Sequence, residues 1–208
     1  MRDIHARIIA SAAKAALASI GFRRQGRSRL WLADRGWWVN VVEFTPGRWS
    51  RSVSLANAAH WNWTGTDFLS FDVAVPSPHH ADFESEQMFH EACTRIADAA
   101  RRAALALDAR FPDFQAAADF VIAEAQSSPD RIGPSWSGYK AAIAAALTGR
   151  PEQAAWFFDR LTDPRVTVRA RNLRPLLAQP EAFRQAIQAF VGQERQRLML
   201  PPLDTSPF

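Results

Sequence analysis

The chain has 208 residues, of which 48% are hydrophobic and 22% charged. That is globular composition and enough length for one domain of about 100 to 200 residues plus an extension. The formal net charge is only +4, an excess that favours acidic partners without separating nucleic acid from an acidic protein surface. All basic residues except Lys14 and Lys140 are arginines, and Cys93 stands alone, which excludes an internal disulfide and a cysteine zinc cluster. No run approaches the roughly 18 apolar residues of a membrane span, and the N-terminal residues have no uninterrupted apolar stretch, so a cytoplasmic protein with no membrane partner is expected.

Ile4, Ile8, Ala12, Ala16 and Ile20 recur at helical spacing ahead of Gly21, predicting an amphipathic helix over 3–20. From Ser28 to Val75 the chain turns rich in Trp, Val and Phe. Breaks at Arg35-Gly36, Pro46-Gly47 and Thr64-Gly65 predict antiparallel strands near 28–34, 37–45, 50–58 and 68–75. Val53 and Leu55 oppose Ser52, Ser54 and Ala56, while Leu69, Phe71, Val73 and Val75 oppose Phe68, Ser70, Asp72 and Ala74, so one sheet face is apolar. The run from Trp37 to Thr45 is apolar on both faces apart from Asn40 and Glu43, which suggests a central strand.

Beyond Phe83 the pattern is helical. Phe89, Cys93, Ile96, Ala100 and Ala103 form a stripe over 85–109, and Pro112 opens a second helix carrying Phe114, Ala118, Val121 and Ala125. Ser127 to Ser135, with two prolines and a glycine, reads as a linker; helices follow near 136–148, 151–161 and 180–198. Gly149, Ala154, Phe158 and Leu161 fit one helical hairpin of tetratricopeptide type, too few copies for a repeat array. The expected organisation is an α+β domain over 1–126, a linker over 127–135, a helical extension over 136–200 and a tail over 201–208. The fold class is α+β: an N-terminal helix, an antiparallel sheet of about four strands covered on one face by helices, and an Ala-rich helical C-terminal part.

The segment Gly21-Phe22-Arg23-Arg24-Gln25-Gly26-Arg27, with Trp31 and Gly36-Trp37-Trp38, resembles the opening of uncharacterised bacterial proteins grouped as domain of unknown function 4304. Val42 to Ser50, Trp61-Asn62-Trp63 and Leu69-Ser70-Phe71-Asp72 resemble a pattern in related hypothetical proteins, with Thr45 where glutamine is usual. The resemblance covers roughly residues 4 to 90; it implies an α+β domain and no activity.

Six of the eight tryptophans, at 31, 37, 38, 49, 61 and 63, cluster with Arg23, Arg24, Arg27, Arg29, Arg35, Arg48 and Arg51. Indoles and guanidinium planes together anchor protein surfaces or stack bases; equally, such rings fill cores while arginine stems pack beside them. Trp37, Arg48, Trp49, Arg51, Trp61 and Trp63, with Glu43 and Asp72, are therefore the candidate binding residues.

Glu43 and Asp72, meeting across a sheet, would suit general acid and base or a divalent metal; Glu43 would otherwise pair with Arg48 or Arg51. The segment His79, His80, Asp82, Glu84, Glu86, His90, Glu91 and Cys93 holds ligand types at poor spacing, with Thr94 where a metalloprotease helix needs its second histidine. No metal site is assigned. Neither a Gly-x-Ser-x-Gly elbow nor a phosphate-cradling glycine loop is present, so no cofactor is implied. The expectation is a non-enzymatic module that binds another protein, in the manner of an immunity protein, through its Arg- and Trp-rich sheet region. The alternatives are a metal-dependent hydrolase or nuclease using Glu43 and Asp72, and a nucleic-acid-binding protein.

Overall fold

The computed structural model describes residues 4–46, 52–204 and 208. The chain divides into two compact units, one of residues 1–61 and 68–109, the other of residues 62–67 and 110–208.

The first unit is the α+β part. Helix α1 (Ile4–Leu17) is followed by a 3-10 turn, and Gly21, at φ 88°, closes it in the left-handed conformation that a side chain would strain. The strands are β1 (Arg23–Arg24), β2 (Leu30–Asp34), β3 (Trp38–Pro46), β4 (Ser52–Trp61), β5 (Val73–Val75) and β6 (His80–Asp82), and the long helix α2 (Glu86–Arg110) runs to the unit's end. All pairings are antiparallel. The sheet runs β1-β2-β3-β4-β5, and β6 joins β4 alongside Ser52–Ser54.

Register fixes which side chains turn inward. Trp31 faces Val42, Phe44 faces Leu55, and these with Val53 and Ala33 form one apolar face. Against it pack Ile8, Ile9, Ala13 and Leu17 of α1 and Phe89, Cys93, Ile96, Ala97, Ala100 and Ala104 of α2. Burial pushes the Cys93 thiol up to about 11, so it behaves as a small hydrophobe. His5 stacks on Phe89 at 4.5 Å between ring centres.

Two asparagines on that apolar face dock α2. The Asn40 amide donates to the Ala104 carbonyl at 2.8 Å and to Asp108 Oδ1 at 3.0 Å, and the Asn57 amide donates to the Ala100 carbonyl at 3.1 Å. Asp108 is held in turn by a two-pronged Arg35 guanidinium at 2.8 and 2.7 Å, which also donates to the Ile20 carbonyl. The amide nitrogens are paired in this way, whereas Asn40 Oδ1 and Asn57 Oδ1 are buried with no hydrogen-bond partner among the described residues, so the donors carry the docking. Their reach to helix carbonyls requires the small residues at 97, 100 and 104, because a bulkier stripe would hold the helix off the sheet.

The second unit is helical: α3 (Phe114–Ser127), α4 (Trp136–Leu147), α5 (Pro151–Phe158), α6 (Pro164–Leu173) and α7 (Pro180–Arg197). Asp113, Ser135 and Asp163 cap α3, α4 and α6 by accepting from backbone N–H groups, and proline occupies the first turn of α5, α6 and α7. The Arg165 guanidinium hydrogen-bonded to Asp163 holds that carboxyl below the ordinary carboxylate range. The α4–α5 hairpin turns at Gly149, φ 74°. Residues 62–67 belong to this unit: Gly65, at φ 64°, lies so close to the Phe190 ring that a Cβ would come within 2.9 Å of it. The Gly65 carbonyl also accepts from Arg169.

The structure differs from the sequence expectation in several places. The stretch 127–135 is no linker: Ile132 is buried, and the Gly133 carbonyl accepts from Thr162 and Asp163, so the prolines and glycine mark a tight turn inside the helical unit. The two compact units part after Ala109. The fourth strand shrinks to residues 73–75, because 70–72 are consumed by a side-chain-stabilised turn, and Phe71 is exposed rather than inward. Helix α6 was hidden by its arginines, although Asp163-Pro164 is a helix-start signal, and the two- and three-residue strands β1 and β6 are too short to show alternation. Among the described residues no helix is long and apolar enough to cross a membrane.

Ala100→Leu places a branched side chain where Asn57 reaches the helix, so urea unfolding of the variant should show a loss of about 1–3 kcal/mol, typical of overpacking. An unchanged midpoint would mean α2 does not sit as closely as described.

Candidate functional site

The candidate binding residues fall into three groups. Trp37, Trp61 and Trp63 are buried, at 8%, 1% and 0% exposure. Trp38 and Trp61 are cross-strand partners at the end of the β3–β4 ladder, and Trp37 stacks on Trp61 at 5.6 Å. Trp63 lies in the helical unit, edge-on to Phe114 at 5.7 Å. The Trp61-Asn62-Trp63 motif thus straddles two cores, and these indoles offer no stacking surface to a visitor. Arg48, Trp49 and Arg51 lie outside the described residues.

Glu43 and Asp72 form the third group, and they do not meet. Glu43 lies opposite Ala56, and Asp72 continues the β5 register to a position opposite His60. Two strand spacings and a four-residue offset put their backbones on the order of 15 Å apart, too far to ligate one ion through bonds of about 2.0–2.6 Å.

Asp72 has a different role. Its Oδ2 accepts from the Trp61 backbone N–H at 2.7 Å and from the Ser70 hydroxyl at 2.7 Å, and lies 3.5 Å from His60 Nδ1. The Ser70 backbone N–H donates to the same His60 Nδ1 at 3.2 Å, so serine, histidine and aspartate converge on one ring nitrogen. In a nucleophilic triad the imidazole separates the two, taking the serine proton on one nitrogen and the carboxylate on the other. Here the hydroxyl is held by the carboxylate itself, and the His60 and Asp72 side chains are fully buried. The cluster pins the chain where it re-enters the first unit after residue 67.

The segment from His79 to Cys93 is dispersed: His80 bonds Ser54 and Asp82, and Cys93 points into the core. Among the described residues no three His, Cys, Asp or Glu side chains are grouped to hold a metal ion.

The arginines ahead of the tryptophans do find an open site. Between α1 and β1 runs a groove of about 540 Å³. Helical spacing puts Arg7, Ala10, Lys14 and Ala18 on its near wall, Phe22 and Trp31 form its floor, and Arg23 and Arg24 its far wall. The Arg24 guanidinium is engaged by the hairpin carbonyls of Ser28 and Arg27, at 2.5 and 2.9 Å. Among the described residues Arg7, Lys14 and Arg23 have no ion-pair or hydrogen-bond partner for their head groups, and no carboxylate lines the groove. The sequence reading missed Arg7 and Lys14; the signal was their two-turn spacing on the polar side of the first helix.

Trp61→Ala removes a fully buried ring, so denaturant unfolding should show a loss of about 3–5 kcal/mol. A loss under 1 kcal/mol would mean that this indole is not part of the core. Comparison with family models, with curated proteins and with solved structures returns no match.

Proposed function

We propose that the protein is a non-enzymatic, cytoplasmic interaction module that captures an acidic protein segment in the groove between α1 and β1. The observation that carries this reading is the groove itself: three cationic heads, at Arg7, Lys14 and Arg23, have no neutralising partner among the described residues and stand over Phe22 and Trp31. Such a surface complements a segment that alternates carboxylates with apolar side chains, since charge orients the encounter and the alkyl stems of Arg7 and Lys14, with Ala10 and Ala18, give apolar contact. Occlusion of an acidic toxin surface, as an immunity protein does, is one instance of this chemistry. Single-stranded nucleic acid is served less well, because bases stack on accessible rings and Trp31, Trp37, Trp61 and Trp63 are buried. The single buried Cys93 suits a reducing compartment.

An acidic amphipathic peptide of alternating Glu and Leu, titrated by fluorescence anisotropy, should bind saturably, with affinity falling as salt rises. The triple variant Arg7→Gln, Lys14→Gln, Arg23→Gln should bind it about tenfold more weakly, since three exposed charge contacts at roughly 0.5 kcal/mol each sum to about 1.5 kcal/mol. All three positions are exposed, so the variant should fold normally. Absence of peptide binding, or equal binding by the triple variant, would overturn the proposal. Tighter binding of an oligothymidylate that the same variant abolishes would replace it with nucleic-acid recognition.

A further inference from the structure

A second pocket, of about 350 Å³, opens on the first unit where the approach to β6 meets α2. It is independent of the groove and shares no residue with it. His79 and His80 line one side, Arg95, Asp98 and Arg102 the other, with Ile96 among the lining residues from the helix.

The scaffold is firm on both sides. β6 pairs with β4 so that His80 stands opposite Ser54, and the His80 ring is fixed by Ser54 Oγ on Nδ1 at 3.1 Å and by Asp82 on Nε2 at 3.3 Å. The adjoining His79 is anchored through its carbonyl, which accepts from the Leu55 N–H at 3.3 Å. On the helix, Arg95 and Arg102 are separated by two turns, a rise of about 10 Å that long side chains close over one ligand. Ile96, midway along α2, is buried and also belongs to the core between helix and sheet.

The head groups facing this pocket do not satisfy one another. Among the described residues the side chains of His79, Arg95, Asp98 and Arg102 have no hydrogen-bond or ion-pair partner, although opposite charges lie within one helical turn of each other. Two guanidiniums and an imidazole make a donor set for phosphoryl oxygens, for which the arginine fork is shaped. Asp98 only accepts when ionised, so it would repel a phosphoryl group and match a hydroxyl donor. No Phe, Tyr or Trp lines the pocket, which leaves the small imidazoles of His79 and His80 as its only rings and gives a nucleobase less stacking area than an indole or phenyl platform would. The volume lies at the small end of ligand sites, which span about 300–1,000 Å³.

We infer that this pocket is a binding site for a small phosphorylated polyol of sugar-phosphate type, with Arg95, Arg102 and His79 on the phosphoryl group and Asp98 on a hydroxyl. The protein becomes a ligand-carrying module, and the ligand occupies the outward side of the helix whose inward side is docked to the sheet.

Calorimetric titration of the full chain with glucose 6-phosphate tests this, beside inorganic phosphate, glucose and adenosine monophosphate. Glucose 6-phosphate should bind more tightly than phosphate or glucose alone. Arg95→Gln with Arg102→Gln should weaken it at least tenfold, whereas Arg101→Gln, on the same helix but outside the pocket, should leave it unchanged. Asp98→Asn should reduce its advantage over inorganic phosphate, a selectivity that a merely structural residue would not set. All four substituted positions are exposed, and matching near-ultraviolet circular dichroism verifies folding. No saturable binding of glucose 6-phosphate, equal binding of inorganic phosphate, or tighter binding of adenosine monophosphate would each overturn the assignment. The Arg7, Lys14 and Arg23 triple variant should retain sugar-phosphate binding, which keeps this result separate from that of the groove.

Discussion

Amide groups of Asn40 and Asn57, reaching from the middle of an apolar sheet face to the carbonyls of Ala104 and Ala100, set the distance at which α2 packs. Each amide would be costly to bury unpaired, and each finds its acceptor only because α2 presents alanine at 97, 100 and 104. Arg35 then ties Asp108, at the far end of that line, to the carbonyl at Ile20. Helix, sheet and the turn after α1 are locked in a single register. Hydrophobic burial alone, being non-directional, would not select this register over its neighbours.

That docking decides what is left for binding. With α1 and α2 both seated on the sheet, Trp31, Phe44, Leu55 and Phe89 fill the space between them, and the Trp37, Trp38 and Trp61 rings pack together at the end of the ladder. Among the described residues of the Arg- and Trp-rich region, the indoles of Trp31, Trp37, Trp38, Trp61 and Trp63 are buried. Among the described residues, Arg35 is taken by Asp108 and Arg24 by the hairpin carbonyls, while Arg23 and Arg27 lie exposed, because a guanidinium cannot be buried without a partner. Arg7, Lys14 and Arg23 are exposed, with no ion-pair or hydrogen-bond partner for their head groups among the described residues. Chemistry that looked like one cluster in the sequence therefore separates in space into an interior of indoles and a rim of cations.

Much of the fold was legible before any coordinates. The stripe Phe89, Cys93, Ile96 and Ala100 gave α2 nearly to its ends, and the two-faced apolar run from Trp37 to Thr45 placed β3 at the centre of the sheet. Periodicity worked there because those residues are buried by regular elements. It failed over residues 68–72, where alternating Phe and Leu suggested a strand while Ser70 and Asp72 were committed to His60 and the Trp61 N–H. It failed again at residues 62–67, because nothing local marks six residues as belonging to a different core. The carboxylates Glu43 and Asp72 could be assigned to strands but not to a separation, since strand offset depends on pairing register. The groove was half visible: Arg23 and Arg24 stood out, whereas Arg7 and Lys14 acquire meaning only once α1 lies beside β1.

The central claim is that the first unit captures a protein segment through cations between α1 and β1, with the indoles of Trp37, Trp38 and Trp61 held inside. Amide chemical-shift mapping on the ¹⁵N-labelled protein, with the acidic Glu-Leu peptide added stepwise, addresses it directly. The account predicts shifts concentrated at residues 7–18 and 22–31, with the indole N–H resonances of Trp37, Trp38 and Trp61 unmoved. Large movements of those indole signals, or shifts gathered in the helical unit, would contradict it.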